Sequence, residues 1–226
     1  VIGLVGLGAA YGLRGIGGED AFMKSWMFAF LIVLAVALGA LFFTILQHIT
    51  KAGWSVTVRR LAEGIAANLS WLWILFLPIF VLVATGNGGQ LFPWADQELA
   101  AHDYLIKKKK PYLNVTFWCV RAVVFFTVWA VIARFYFRLS RRQDASGDYR
   151  ITNTMQWFAP LAMILYALSQ TFASYDWIMS LQPKWFSTMF GVYFFAQNMG
   201  GQVPLVAREM RDRDDLNKAL FAGLAG

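Results

Sequence analysis

Long uninterrupted apolar runs, separated by short charged segments, set the pattern of this chain. A bilayer's hydrocarbon core is about 30 Å thick and takes about 20 apolar residues to cross as a helix. Residues 25–46 carry no charge and form the first full run. Residues 66–84 form the second, crossed by Pro78. Proline is tolerated in such helices because neighbours can satisfy the freed carbonyl. Residues 114–139 form the third, with Arg121 near its start and Arg134 and Arg138 near its end. Residues 154–173 and 186–206 supply the fourth and fifth. The opening stretch, 1–13, is apolar but too short to cross, and reads as the second half of a helix whose beginning is missing. The runs do not alternate as barrel strands would, and backbone polar groups in hydrocarbon must be paired within each segment. The prediction is an all-α, polytopic transmembrane helical bundle forming a single domain over 1–226.

Composition strengthens this reading. Only 15% of the 226 residues are charged and 58% are hydrophobic, against roughly 25% charged in a soluble domain. That is too little charge to cover a water-facing surface. It excludes an ordinary cytosolic enzyme, a disordered segment and a nucleic-acid-binding domain. The net charge of +7 then points to basic loops at a membrane surface rather than to nucleic acid. One cysteine, Cys119, excludes an internal disulfide framework, a CxxCH heme attachment and a cysteine-ligated iron–sulfur cluster. The first residue is Val1, and the opening run lacks the positive region of a signal peptide. The chain is therefore expected to be a portion of a larger membrane protein.

Lysine and arginine in the loops predict orientation. Loops 47–65, 140–153 and 207–226 are the richer set and are assigned to the cytoplasmic side. Loops 14–24, 86–113 and 174–185 then lie opposite. The Lys107–Lys110 run falls on that opposite side, where it reads as a solvated loop or a docking strip for an acidic partner. Trp26, Trp94, Trp118, Trp157, Trp177 and Trp185 fall near the ends of runs, where the amphipathic indole favours the interface. Trp71, Trp73 and Trp129 lie deeper and are expected to pack or to face lipid.

Ionisable groups inside a membrane are costly, so each asks for a partner or a purpose. His48 ends the first run and reads either as an interfacial histidine bonded to a backbone carbonyl or as a proton relay. Glu63 follows Arg59 and Arg60 by one turn, which makes a helical ion pair the default. Arg121 either snorkels to the interface or pairs with Asp176. Asp176 follows Tyr175 and either caps a helix end or, as an acid beside a tyrosine, accepts a proton or holds a quinone head group. Gln156, Gln170, Gln197, Asn198 and Gln202 are expected to bond between helices. The glycines and Pro204 in 197–204 invite either close packing or a broken helix. Gly86–Gly89 lacks the Lys-Ser/Thr and strand context of a phosphate loop. No metal-ligand cluster or nucleophile motif appears, so a redox centre within this chain is not expected.

Three stretches carry a resemblance: LQHITKAGWSVTVRRLAE (46–63), KKPYLNVTFWCVRA (109–122) and SYDWIMSLQPKWFSTMFGVYFF (174–195). Together they resemble the second NrfD-like integral membrane subunit, polysulfide-reductase membrane-subunit-like, of bacterial alternative complex III. That complex is a quinol:cytochrome c oxidoreductase of the inner (cytoplasmic) membrane. The resemblance implies a fold of about ten helices with two four-helix bundles. This chain would supply the N-terminal four-helix bundle plus flanking helices. It also implies partners: a multiheme cytochrome c, an iron–sulfur protein, a sister NrfD-like subunit, small membrane subunits and membrane lipids, with a terminal oxidase as a further candidate. Hemes c and iron–sulfur clusters would sit on those partners, and menaquinol would be the quinone. Positions matching the motifs are His48, Arg59, Arg60, Glu63, Arg121, Asp176 and Lys184. The expected role is to brace the redox subunits and to conduct protons from His48 and Glu63, past Gln197 and Asn198, to Asp176. Arg121, Tyr175 and Asp176 would form either a quinone contact or a structural ion pair. The rival readings are a direct quinol-binding subunit and a secondary transporter.

Overall fold

The computed structural model describes residues 14–52 and 56–200. The opening half-helix of 1–13 and residues 201–226, including Gln202 and Pro204, lie outside the described residues. Among the described residues every regular element is helical. We number the helices α1 (Arg14–Ile49), α2 (Val56–Ala67), α3 (Trp73–Ala84), α4 (Gln97–His102), α5 (Tyr104–Lys109), α6 (Val115–Ser146), α7 (Arg150–Trp177) and α8 (Phe190–Gly200).

Among the described residues three stretches are long and apolar enough to cross a membrane: Ala21–Ile49, Val58–Ala84 and Val115–Ser146. The fourth predicted run is a helix of sufficient length, α7 with 28 residues. Gln156, Pro160 and Gln170 leave it less apolar than the other three. Of the fifth run, α8 with its 11 residues is described.

Local chemistry fixes the helix ends. The Asn114 side chain accepts the Phe117 N–H at 2.8 Å and so caps the start of α6. Gly147 closes α6 in the left-handed region at φ 66°, donating its N–H to the Gln143 carbonyl. Lys51 takes a positive φ of 52° where α1 ends. α2 and α3 form one interrupted rod joined by the 3₁₀ turn Asn68–Ser70.

Two segments expected as loops are helical. Residues 14–24 belong to α1, and 56–65 lie within α2. The second case has a clear cause: VTVRRLAEGIAA contains no proline, and its arginines support Glu63 at helical spacing. The long 86–113 loop is also structured, as two 3₁₀ turns followed by α4 and α5. It caps one end of the bundle by burying Leu91, Phe92 and Trp94. The Phe92 and Trp94 rings lie 5.6 Å and 6.2 Å from Trp118.

α1 packs on α2 and α7, α6 packs on α2, α3 and α7, and α8 lies against α1 and α7. The centre is aromatic. Trp177 sits 4.7 Å from Phe76, 5.5 Å from Phe126 and 5.7 Å from Trp129. Trp94, Trp118 and Trp177 are therefore core residues rather than interface anchors. Proximity to a helix end does not decide which face an indole occupies, and here the cap covers that end. Trp157 and Trp185 are exposed, as the interface reading requires.

Candidate functional site

The polar chemistry gathers at the two ends of the bundle. From Arg121 to Ser140, one residue in each cluster, α6 rises about 29 Å. That matches a hydrocarbon core of about 30 Å.

The first cluster is built around Arg121 and Asp176. Asn114 starts α6 so that Arg121, two turns in, points at the last turn of α7. The guanidinium binds the carboxylate in bidentate fashion, Nε to Oδ2 at 2.5 Å and Nη2 to Oδ1 at 3.0 Å. Its third nitrogen donates to the Tyr112 carbonyl at 3.0 Å. The Tyr112 and Phe117 rings cover the cation at 4.0 Å and 4.3 Å from Cζ. The Asp176 carbonyl accepts from Trp118 Nε1 at 3.1 Å and from the Ser180 hydroxyl at 2.5 Å. Arg121 thus pairs with Asp176 and does not snorkel. The neighbouring tyrosine is Tyr112 rather than Tyr175, whose hydroxyl donates to the Thr188 carbonyl at 3.2 Å. Burial, and after it the Asp176 charge, pushes the Tyr112 phenol above its ordinary range. A cavity of about 340 Å³ opens beside this cluster, lined by Tyr112, Tyr175, Met179, Trp185 and Phe186.

The basic run beside it is partly fixed. Lys109 Nζ donates to the Pro183 carbonyl at 2.6 Å, whereas Lys107, Lys108 and Lys110 are exposed. Lys184 binds Asp103 at 2.8 Å and ties the segment after α7 to the start of α5. Its hydrogen bond, with that from the Leu105 N–H, holds the Asp103 carboxyl below its ordinary 3.8. A lowered carboxylate contributes stability above its unfolded value, and this is lost as pH falls through the folded value. Thermal unfolding of Asp103→Asn between pH 5 and pH 2 is therefore expected to lose part of the acid-induced drop that begins near pH 3.8. An unchanged profile would contradict the pairing.

The second cluster holds Glu63, whose side chain is fully buried. Arg59 Nε and Arg60 Nη1 each approach it to 3.4 Å. Arg60 also donates to Ser140 at 2.7 Å and pairs with Asp144, linking α2 to the end of α6. A polar cavity of about 380 Å³ lies here, lined in part by Gln47, Arg59, Glu63, Gln143 and Gln156. His48 is buried within the bundle, with its ring stacked on Tyr136 at 4.9 Å. Neither of its nitrogens has a hydrogen-bond partner among the described residues, so the expected carbonyl contact is not made among them.

Gln197 and Asn198 part company. Gln197 is exposed, and Asn198 is fully buried with its amide 3.5 Å from Gln170 Oε1. Gln170 in turn donates to the Gly191 carbonyl at 3.3 Å. A close helix approach occurs at Gly191, whereas Gly200 has open space around its missing Cβ among the described residues and Gly201 lies outside them. A Cβ on Gly191 would lie 2.7 Å from Thr171 Cγ2. Gly191→Ala is expected to cost about 1–3 kcal/mol by overpacking. Thr171→Ser should restore part of that loss, as read by unfolding of the detergent-solubilised protein.

No protein-family model matches this chain, and no curated protein matches it. Among the described residues no group of three or more His, Cys, Asp or Glu could hold a metal ion. Sequence reasoning missed Tyr112, Asp103, Ser140 and Asp144. The signals were modest: Tyr112 sits just before the Asn114 cap, and Asp103 stands at an N-cap position before Tyr104–Lys109.

Proposed function

We propose that this chain is the N-terminal four-helix bundle and flanking helices of an NrfD-like membrane subunit of an alternative complex III. In this reading it is a multi-pass protein of the bacterial inner membrane. It braces a multiheme cytochrome c and an iron–sulfur protein, and electrons pass through those partners rather than through this chain. One observation carries the reading. Arg121 and Asp176, from two of the three stretches that resemble the family, meet in one buried bidentate pair beneath a folded cap. Such a pair locks the ends of two membrane helices and presents a defined face to subunits outside the bilayer.

A proton route is the second part of the proposal. In the buried core Phe76, Phe126, Trp129 and Trp177 offer no titrating group, although the core also holds the phenols of Tyr136 and Tyr166. The polar alternative is the seam between α7 and α8, where Gln170, Thr171 and Asn198 gather. The exposed Gln197 lies off this seam. A wire of this kind needs hydrogen-bonding steps bridged by water. Asp176→Asn, with assembly intact, is expected to lower the protons released per quinol oxidised. An unchanged ratio would remove Asp176 from the route.

Direct quinol binding is the second reading, favoured by the 340 Å³ cavity beside Asp176 and its aromatic lining. It predicts quinone density against Tyr112 and Trp185. The transporter reading rests on a helix break in 197–204, of which Gln197–Gly200 are helical in α8 and the rest lies outside the described residues.

A further inference from the structure

Arg134 is a basic residue whose place neither cluster explains. It lies about 9 Å inside the level of Ser140, on the exposed side of α6. Its Nε–H donates to Ser70 Oγ at 2.9 Å. Among the described residues it makes no other hydrogen bond and no ion pair. Arg138, one turn nearer the membrane edge on the same face, is also exposed, with no acidic partner among the described residues. Helical side chains lean toward the helix N-terminus, which for Arg134 is toward the bilayer centre. The guanidinium is thus poorly placed to reach bulk water. An arginine at such depth is costly unless an anion or polar headgroup is drawn to it.

The surface beside Arg134 supplies the rest of a site. A groove of about 480 Å³ runs between α3 and α6, from Ser70 and Arg134 to Phe80 and Ala122. Its floor is the buried Phe76 and Phe126, and its walls are the exposed Trp73, Leu77 and Val131. Among the described residues the only charge lining it is the guanidinium at one end. An apolar trough of helical length with Arg134 at one end, and Arg138 one turn beyond it, is complementary to a molecule with an acyl chain and an anionic head.

We propose that this groove binds one anionic phospholipid. The acyl chain lies over Phe76 and Phe126, and the phosphate is held by Arg134 and Arg138. The site rests only on the membrane setting, so it would survive failure of the proton-route proposal.

Native mass spectrometry of the protein purified in its natural assembly tests this. Phosphatidylglycerol and phosphatidylcholine of identical acyl chains are the probes. The unmodified protein is expected to bind the anionic lipid more tightly, by roughly fivefold for each arginine engaged. Arg134→Gln combined with Arg138→Gln should bring the two lipids to parity. Ala130→Phe, which fills the groove and keeps both arginines, should weaken both lipids. Equal binding of the two lipids by the unmodified protein would overturn the proposal, as would a preference that survives both arginine substitutions. A groove covered by another subunit would show as lack of lipid binding at the site, and that too would overturn it. Should the double variant not assemble, the lipid retained by the unmodified protein decides. It is expected to be enriched in anionic species over the bulk membrane, and no enrichment counts against the site.

Discussion

Arg121→Leu is expected to destabilise the protein by about 3–5 kcal/mol, because it leaves the Asp176 carboxylate buried without its counter-charge. Asp176→Leu should cost a similar amount for the mirror reason. The Arg121→Leu, Asp176→Leu double variant is expected to recover most of the loss, since a well-packed apolar pair can replace a buried ion pair at little cost. Unfolding of the detergent-solubilised protein across this cycle gives the coupling directly. Arg121→Lys should fall between, because an ammonium cannot reproduce the two-point contact with both carboxylate oxygens. Single variants within about 1 kcal/mol of the parent would show the pair to be dispensable, well short of the buried-pair cost.

Trp177→Ala is expected to cost about 3–5 kcal/mol through the cavity it opens. Phe30, Phe76, Phe125, Phe126 and Trp129 all have ring centroids within 6.0 Å of Trp177, so no single neighbour can collapse into the space. Trp157→Ala provides the contrast. Its ring is 83% exposed, and its loss is expected to stay within about 0.5 kcal/mol. Trp177→Phe should cost much less than Trp177→Ala. It keeps an aromatic ring and removes an indole N–H that has no partner among the described residues. Thermal unfolding of the three variants, compared in one detergent, checks the order.

The membrane helices were legible in the chain because hydrocarbon imposes a single requirement, a long apolar run, which 25–46 and 114–139 satisfy in plain view. α7 was legible as a helix although its glutamines reduce its apolar character. The helix in 56–67 was harder to see. Its charges suggested a loop, yet Arg59 and Arg60 turn inward to Glu63 and make the helix self-supporting. The fold of 86–113 was not legible, since Phe92 and Trp94 find their partner Trp118 only in three dimensions. The same limit applies to the candidate site. Arg121 and Asp176 could be proposed as partners from topology, because both fall at the same ends of their runs. Tyr112 could not be told from Tyr175, because the choice depends on which ring faces the guanidinium.

The proposed role is to brace redox subunits in a membrane without carrying a redox centre. Its most direct test is purification of the tagged protein from its native membranes in mild detergent, followed by optical and electron paramagnetic resonance spectra. The account predicts a c-type heme spectrum and iron–sulfur signals in fixed proportion to the tagged chain. A protein that purifies from those membranes as a well-folded species, with neither heme nor iron–sulfur signal, would contradict it.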